Sequence, residues 1–466
     1  MKKFIVLAGA LILNGNLLAQ VDQSRLQYLT NKSLRFVLNS QIKTQTPVYY
    51  PGEWPQKVEF KGFIDWLNIS PGEKLDDPSA FTTATIANIL LSAFPKGIAS
   101  TPPEVRRAIK LATTSFPIYK VKDVYHFYPK TNIQIRSENG PKTISVNMSK
   151  LVRMAGKPFG WEINNGTLVP PDNDSTGVVY TTLFKVFGER MSKGAVETLT
   201  KHRDVNRDPY FFNKLHRNVK TGAFLTWLQD EPKFLSDRNL GPVGRTRSRL
   251  NYSMMSPENG SRIPFGRNDV DCVANTNAIR ALALNQQKSV PGYQEACTLI
   301  NKVFKTRQTN SCGIYYPNTF HLHFVASSAV VDGVDCLRTS LEQMKKDLLK
   351  HQHSDGSWVN KANIEVRFRN PDPALTTLYA LATYINIAKM NPKLITQEVR
   401  NSFEKGLNYL DGEFFTDEEG LLKLPEGKFY SAFPPLRNTS AWTSEAYTMA
   451  IAFKVFKESS LVLGEN

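Results

Sequence analysis

Two carboxylates stand two residues apart in Asp269-Val270-Asp271, and the thiol of Cys272 follows directly. In a closed site, carboxylates at that spacing shift each other's pKa, which is how a protein prepares a general acid. Comparable acids open other apolar segments: Asp76 and Asp77, Asp172 and Asp174, and Asp372, with Glu445 one turn into the last segment. Each is first of all an N-cap for a helix. If the helix starts converge on one cavity, a pair of these acids could also flank a bound sugar as general acid and base. His321 and His323 lie in YYPNTFHLHFVASS. At i and i+2 on a helix they point apart, so they do not share a metal; one of the two could line the cavity as a base, near where Tyr315 and Tyr316 would border it. No HExxH or CxxC occurs, and no metal or other cofactor is expected. Phe81, Tyr180, Phe320, Phe324, Tyr379, Trp442 and Tyr447 fall on the same segments. Their rings could stabilise a carbocation or stack on a sugar.

The elements that hold these residues repeat. One kind of segment opens with Asp or Asn, continues in small residues and Thr, and ends apolar, at 76–94, 172–187, 268–284, 318–331, 372–385 and 438–456. The other kind carries its charges on one side, at about 24–41, 103–116, 214–230, 292–306, 336–352 and 396–411. Helices apolar nearly all round are buried, and those with a charged stripe face water. Alternating the two predicts an all-α fold, a single (α/α)6 toroid of inner and outer helices. Two insertions interrupt it. Residues 121–171 carry β-like stretches such as NIQIRS and KTISVNM. Residues 231–267 are rich in Pro and Gly and hold seven cationic residues against three acidic ones. Arg245, Arg247, Arg249 and Arg267 in this loop are candidate anion receptors, because guanidinium forks suit phosphate and carboxylate. Tyr316, His321, Trp442 and Asp174 are the other candidate substrate-binding residues.

Leu348-x3-Gln352-x3-Gly356-x-Trp358 resembles the QW repeat of squalene–hopene and oxidosqualene cyclases, and Gln41 followed by Gly52-x-Trp54 is a degenerate copy. Asp269-Val270-Asp271-Cys272-Val273-Ala274 is similar to the DxDD(T)A element of squalene–hopene and class II diterpene cyclases. These features resemble the terpenoid cyclase and protein prenyltransferase superfamily of α/α toroids. The resemblance implies that Asp271 protonates an alkene or epoxide, with Asp269 and Cys272 as its polar surroundings. The second Asp of the DD pair is absent, Val273 replaces Thr, and the chain has room for one toroid only.

The chain of 466 residues has 58 Lys and Arg against 42 Asp and Glu, a formal charge of +16, with 11% aromatic residues. That composition excludes disorder as the main state and leaves an anionic partner open. Lys2 and Lys3, the apolar run Phe4–Leu13 and a cut after Ala19 read as a signal peptide, too short to span a membrane. The expected organisation is therefore a signal peptide at 1–19, a toroid at 20–460 and a tail at 461–466. Export to the periplasm or the exterior argues against nucleic acid as partner and leaves peripheral membrane contact open. Cys272, Cys297, Cys312 and Cys336 allow two disulfides in three connectivities, and Cys297–Cys312 is the nearest pair in sequence. Three functions fit this reading: a terpenoid-cyclase-like enzyme acting on an isoprenoid, an exported hydrolase or lyase of an anionic glycan such as peptidoglycan or a uronate polymer, and a non-catalytic scaffold. No P-loop, GxSxG or Rossmann fingerprint occurs.

Overall fold

The computed structural model describes residues 22–60, 74–137, 140–149, 168–207, 219–232, 260–316, 318–359, 372–431 and 440–464, with a few positions between 241 and 252. Six helices form the inner ring: α2 (Ala80–Ser92), α4 (Asn173–Phe187), α6 (Cys272–Leu284), α8 (His321–Val331), α10 (Pro373–Met390) and α12 (Glu445–Lys457). Each packs on the next, and α12 packs back on α2, so the ring closes. The outer helices are α1 (Gln23–Ser40), α3 (Pro103–Thr113), α5 (Lys193–Lys201), α7 (Tyr293–Lys305), α9 (Leu341–His351) and α11 (Gln397–Glu413). In α2, AFTTATIANILLS is buried from Ala80 through Leu91 with one residue less covered, as an inner position requires. In α3 only Val105, Ala108, Ile109, Ala112 and Thr113 are buried, one stripe at helical spacing.

Two expectations change. The outer helix between α4 and α6 is α5, not 214–230. Residues 214–218 lie outside the described residues, and 223–228 run as irregular chain across the start of α6. The cause is side-chain pairing with the backbone: Phe224 N–H donates to Asn275 Oδ1 at 2.9 Å, and Trp227 N–H donates to Asn268 Oδ1 at 3.0 Å. The second change is a four-stranded antiparallel sheet that periodicity did not reveal. Its order is β2 (Lys74–Asp76), β1 (Lys57–Phe60), β6 (Ser440–Thr443), β5 (Lys428–Ser431), and Val58 faces Trp442, which faces Tyr430 (chain order also includes the hairpin β3–β4). That hairpin, β3 (Lys130–Ser137) with β4 (Gly140–Asn147), lies in the expected β-containing insertion.

The two Gln–Gly–Trp segments make the same bonds. Gln352 donates its amide to Gly356 O at 3.0 Å and to Ser402 O at 2.7 Å, while the Trp358 indole donates to Leu348 O at 2.9 Å. Gln41 donates to Gly52 O at 3.0 Å and to Ala108 O at 2.8 Å, and Trp54 donates to Val37 O at 2.8 Å. Each Gln therefore ties the end of its own outer helix to a carbonyl of another outer helix, Ala108 on α3 or Ser402 on α11. Gly52 and Gly356 have φ of +94° and +91°, and a Cβ at either would collide with the backbone of Leu111 or Lys405. The first copy is degenerate in spacing and equivalent in bonding.

The cysteines pair as Cys272–Cys312 and Cys297–Cys336, not Cys297–Cys312. The first bridge fixes the start of α6 to the segment before Tyr315 and Tyr316, reinforced by the Cys272 N–H donated to Cys312 O at 3.0 Å. The Cys272→Ser/Cys312→Ser double variant should lose about 2–4 kcal/mol of stability. Denaturant titration checks this, and an unchanged midpoint would contradict it.

Candidate active site

Asp271 is the N-cap of α6. Its Oδ1 accepts the N–H of Val273 at 2.7 Å and of Ala274 at 3.1 Å; its Oδ2 accepts the N–H of Ile314 and, at 3.0 Å, of Tyr315. Four backbone donors hold this carboxyl as a helix cap and loop clamp; burial raises it, and those four N–H groups oppose the rise. Cys272 is half of a disulfide and has no thiol hydrogen to offer its neighbour. Asp271 and Cys272 together tie the start of α6 to residues 312–315.

The start of α4 is different. Asp172 is its N-cap, with Oδ1 accepting the Ser175 N–H at 2.5 Å and Oδ2 buried without a hydrogen-bond partner. Asp174, two residues on, faces inward. Its Oδ1 accepts the Asn277 amide of α6 at 2.6 Å, and its Oδ2 accepts the Tyr316 hydroxyl. Both carboxylates line a cavity of about 650 Å³ of atom-free space, its mouth included. Phe127, Tyr128, Trp227, Tyr315, Tyr316, Tyr430 and Trp442 wall it. Trp442 sits on strand β6 and not on an inner helix. It stacks on Tyr430 at 4.7 Å with 15° between planes, and its indole N–H donates to Asp77 at 2.8 Å.

Burial pushes the Asp172 carboxyl up to about 7, against the opposing Ser175 N–H. Asp174 lies well above the usual carboxylate range, first because it is buried and then because Asp172 is beside it. Burial and mutual repulsion both favour the protonated form of this pair, and Asp174 is raised by both. The sign for stability follows. A carboxyl raised in the folded state binds more protons than the unfolded chain between its ordinary value, near 4, and about 7, so its contribution falls as pH rises through that window. Asp172→Asn keeps a capping oxygen and cannot ionise. Its stability relative to wild type should rise from about pH 5 to about pH 8, read by thermal melts; a pH-independent difference would contradict the assignment.

His321 lies deeper, stacked on Tyr379 at 4.7 Å and edge-on to Tyr316 at 4.7 Å. Its Nε2 is 3.4 Å from the Tyr447 hydroxyl, which is 2.9 Å from that of Tyr379. Burial pushes its imidazole down to about 3, so it is neutral. His323 points to the outer ring, 3.6 Å from Asp347, as the i, i+2 argument requires.

The structure thus brings Asp174, Tyr316 and Trp442 together, with His321 behind Tyr316. Asp269 is one residue removed from the wall, and its partners Thr226 and Tyr315 line it. Arg267 pairs with Glu231 at 3.0 Å and does not line the cavity. Arg247 is exposed, and Arg245 and Arg249 lie outside the described residues. Glu445 faces Lys423 at 2.7 Å, away from the cavity. Asp372 begins α10 with φ of +42° and no side-chain cap bond, and Ser79, not Asp76 or Asp77, caps α2. Sequence reasoning missed Asn277, Thr226 and Trp227. It also ranked Asp269-Val270-Asp271 over Asp172-Asn173-Asp174, although the second has the same spacing and retains Thr176 where the first has Val273.

No protein-family model matches the chain, and no curated protein matches it in sequence. Solved structures do match in fold. The type II terpene cyclase MstE from Scytonema, as a variant in complex with its substrate geranylgeranyl dihydroxybenzoate, superposes with a TM-score of 0.54 at 11% identity, over 94% of this chain and 99% of that one. The same enzyme without ligand gives 0.52 at 11% identity, over 94% and 99%. A variant holding the product merosterolic acid A gives 0.53 at 12% identity, over 94% and 98%. The chain has a terpenoid-cyclase-like fold, a mostly helical toroid.

Proposed function

We propose that this protein is a terpenoid-cyclase-like enzyme that begins the cyclisation or isomerisation of an isoprenoid by protonating an alkene, with Asp174 as the general acid. The observation that carries this reading is a single one: a buried carboxyl, raised by its burial and by Asp172, opens on a cavity walled by aromatic rings. The proton passes from Asp174 to one alkene carbon, and the π pair becomes the new C–H bond. The neighbouring carbon becomes cationic and is attacked by the next alkene of the folded chain. The Asp174 carboxylate left behind is met by the Asn277 amide and the Tyr316 hydroxyl, two donors already in place. Ring faces stabilise the cation by about 0.5–2 kcal/mol each, and the apolar walls offer water few partners beside it.

The acid role thereby moves from Asp271 to Asp174. The wall also favours an isoprenoid over a glycan, whose hydroxyls would meet apolar ring faces without partners. The more open groove between residues 45–50 and the β3–β4 hairpin presents Lys130 and no carboxylate among its described lining residues. Action outside the cytosol is part of the proposal. Two disulfides suit an oxidising compartment, and an isoprenoid partner would be met at a membrane surface.

The test is incubation of the purified protein with geranylgeraniol, squalene or geranylgeranyl dihydroxybenzoate, and separately with peptidoglycan and a uronate polymer. A cyclic isomer of unchanged mass from one of the isoprenoids is expected. Soluble sugars from a glycan, with every isoprenoid unaltered, would overturn the reading.

A further inference from the structure

A cation made at Asp174 must lose a proton somewhere else in the same cavity if the product is to leave as an alkene. Asp269 is fully buried and does not line the cavity, yet it is joined to it by hydroxyls. Its Oδ1 accepts the Thr226 hydroxyl, and its Oδ2 accepts the Tyr315 hydroxyl at 2.6 Å. The Tyr315 oxygen in turn receives the Trp227 indole N–H at 3.1 Å. That ring stands perpendicular to Tyr315, with centroids 5.6 Å apart. The Tyr315 proton is thus aimed at Asp269, and an indole fixes the oxygen that carries it. Consecutive tyrosines serve different carboxylates, Tyr315 on Asp269 and Tyr316 on Asp174. The Cys272–Cys312 bridge and the clamp of the Ile314 and Tyr315 N–H groups on Asp271 hold both in place.

We propose that Tyr315, backed by Asp269, is the base that ends the reaction: the catalytic residue is Tyr315 and Asp269 is its positioning residue and proton acceptor. This rests on the cyclase reading above. The carbon next to the cationic centre gives its proton to Tyr315 Oη, and the C–H pair becomes the new C=C bond. The hydroxyl proton of Tyr315 moves at the same time to Asp269 Oδ2. No oxidant or second substrate is needed. The net change leaves Asp174 one proton short and Asp269 one proton richer, and exchange with water restores both.

Both carboxyls are buried. Burial and the neighbouring Asp271 push Asp269 up to about 7, while Thr226, Tyr315 and Arg207 oppose the rise. Asp174 is raised by its own burial and by Asp172 beside it.

The experiment compares wild type, Asp174→Asn, Tyr315→Phe and Asp269→Asn on geranylgeraniol, squalene and geranylgeranyl dihydroxybenzoate. The readout is the ratio of cyclic alkene to cyclic alcohol in the product; Asp269 does not line the cavity, so Asp269→Asn shifts the ratio without opening the wall. Wild type should give mainly alkene. Tyr315→Phe and Asp269→Asn should each shift the ratio at least tenfold toward alcohol, as water captures a cation with no base beside it. The inference is overturned by a wild-type ratio in both variants, by an alcohol as the main wild-type product, or by variants that make no cyclic product. Those outcomes leave the cyclase reading standing wherever wild type turns over and Asp174→Asn does not. If wild type consumes none of the three isoprenoids, the cyclase reading fails first and this inference with it.

Discussion

Replacing Asp174 by Asn should lower isoprenoid turnover by at least about 10³-fold while the fold survives, within the range expected for loss of a general acid. The substitution keeps the size of the side chain and one carbonyl oxygen for the Tyr316 hydroxyl or the Asn277 amide. It removes the proton that must be delivered. Because burial and Asp172 both raise this carboxyl, its ionisation opposes folding; an amide cannot ionise, and the melting temperature of the variant should not fall. Asp271→Asn should behave differently. It keeps an oxygen for α6 and gives up part of the clamp on Ile314 and Tyr315, so its main effect is on stability. Equal losses of turnover in the two variants, measured with product by mass spectrometry, would contradict the assignment of the acid to Asp174.

The second large effect concerns the fold. Trp358→Ala should cost about 3–5 kcal/mol, a large part of the 5–15 kcal/mol that holds an ordinary domain together. Trp358 has no exposed surface; its indole N–H caps Leu348 O, and its six-membered ring lies so close to Gly406 that no Cβ would fit there. Truncation therefore opens a cavity between α9, α10 and α11 and leaves a carbonyl unpaired. Lys346→Ala, which removes an exposed i,i+4 pair with Glu342, should change stability by less than about 1 kcal/mol. Denaturant melts of the two variants check the contrast. A Trp358→Ala cost below the Lys346→Ala cost would refute the structural role given to the motif.

Much of this fold is legible because helices write their burial into the chain at short range. The uncharged α2, buried nearly all round, and the one-sided α3 differ in pattern over a dozen residues, and that contrast orders the two rings. Strands β1 and β6 are four residues each and pair Lys57 with Thr443, so neither carries a local signature of the other. Residues 223–228 look helical because Phe224, Leu225, Trp227 and Leu228 are apolar. Their backbone is claimed instead by Asn268 and Asn275, side chains 41 and 51 positions on. The cysteine pairing went astray for a related reason: proximity in sequence favours Cys297–Cys312, while neighbouring elements in the toroid bring together partners 39 and 40 positions apart.

The site was legible as chemistry and not as position. Both D-x-D segments were visible, and both begin inner helices. What each carboxyl meets depends on donors that come from elsewhere. Backbone N–H groups of Ile314 and Tyr315 reach Asp271, whereas an amide and a phenol, Asn277 and Tyr316, reach Asp174. No spacing in the sequence distinguishes those two fates.

The most direct measurement is to run the reaction in D₂O and weigh the product. Proton-initiated chemistry from Asp174 takes the deuteron from an exchanged carboxyl, so each cyclised isoprenoid should carry one solvent deuterium on carbon, and Asp174→Asn should yield no labelled product. A cyclic product from wild type with no deuterium on carbon would contradict the account.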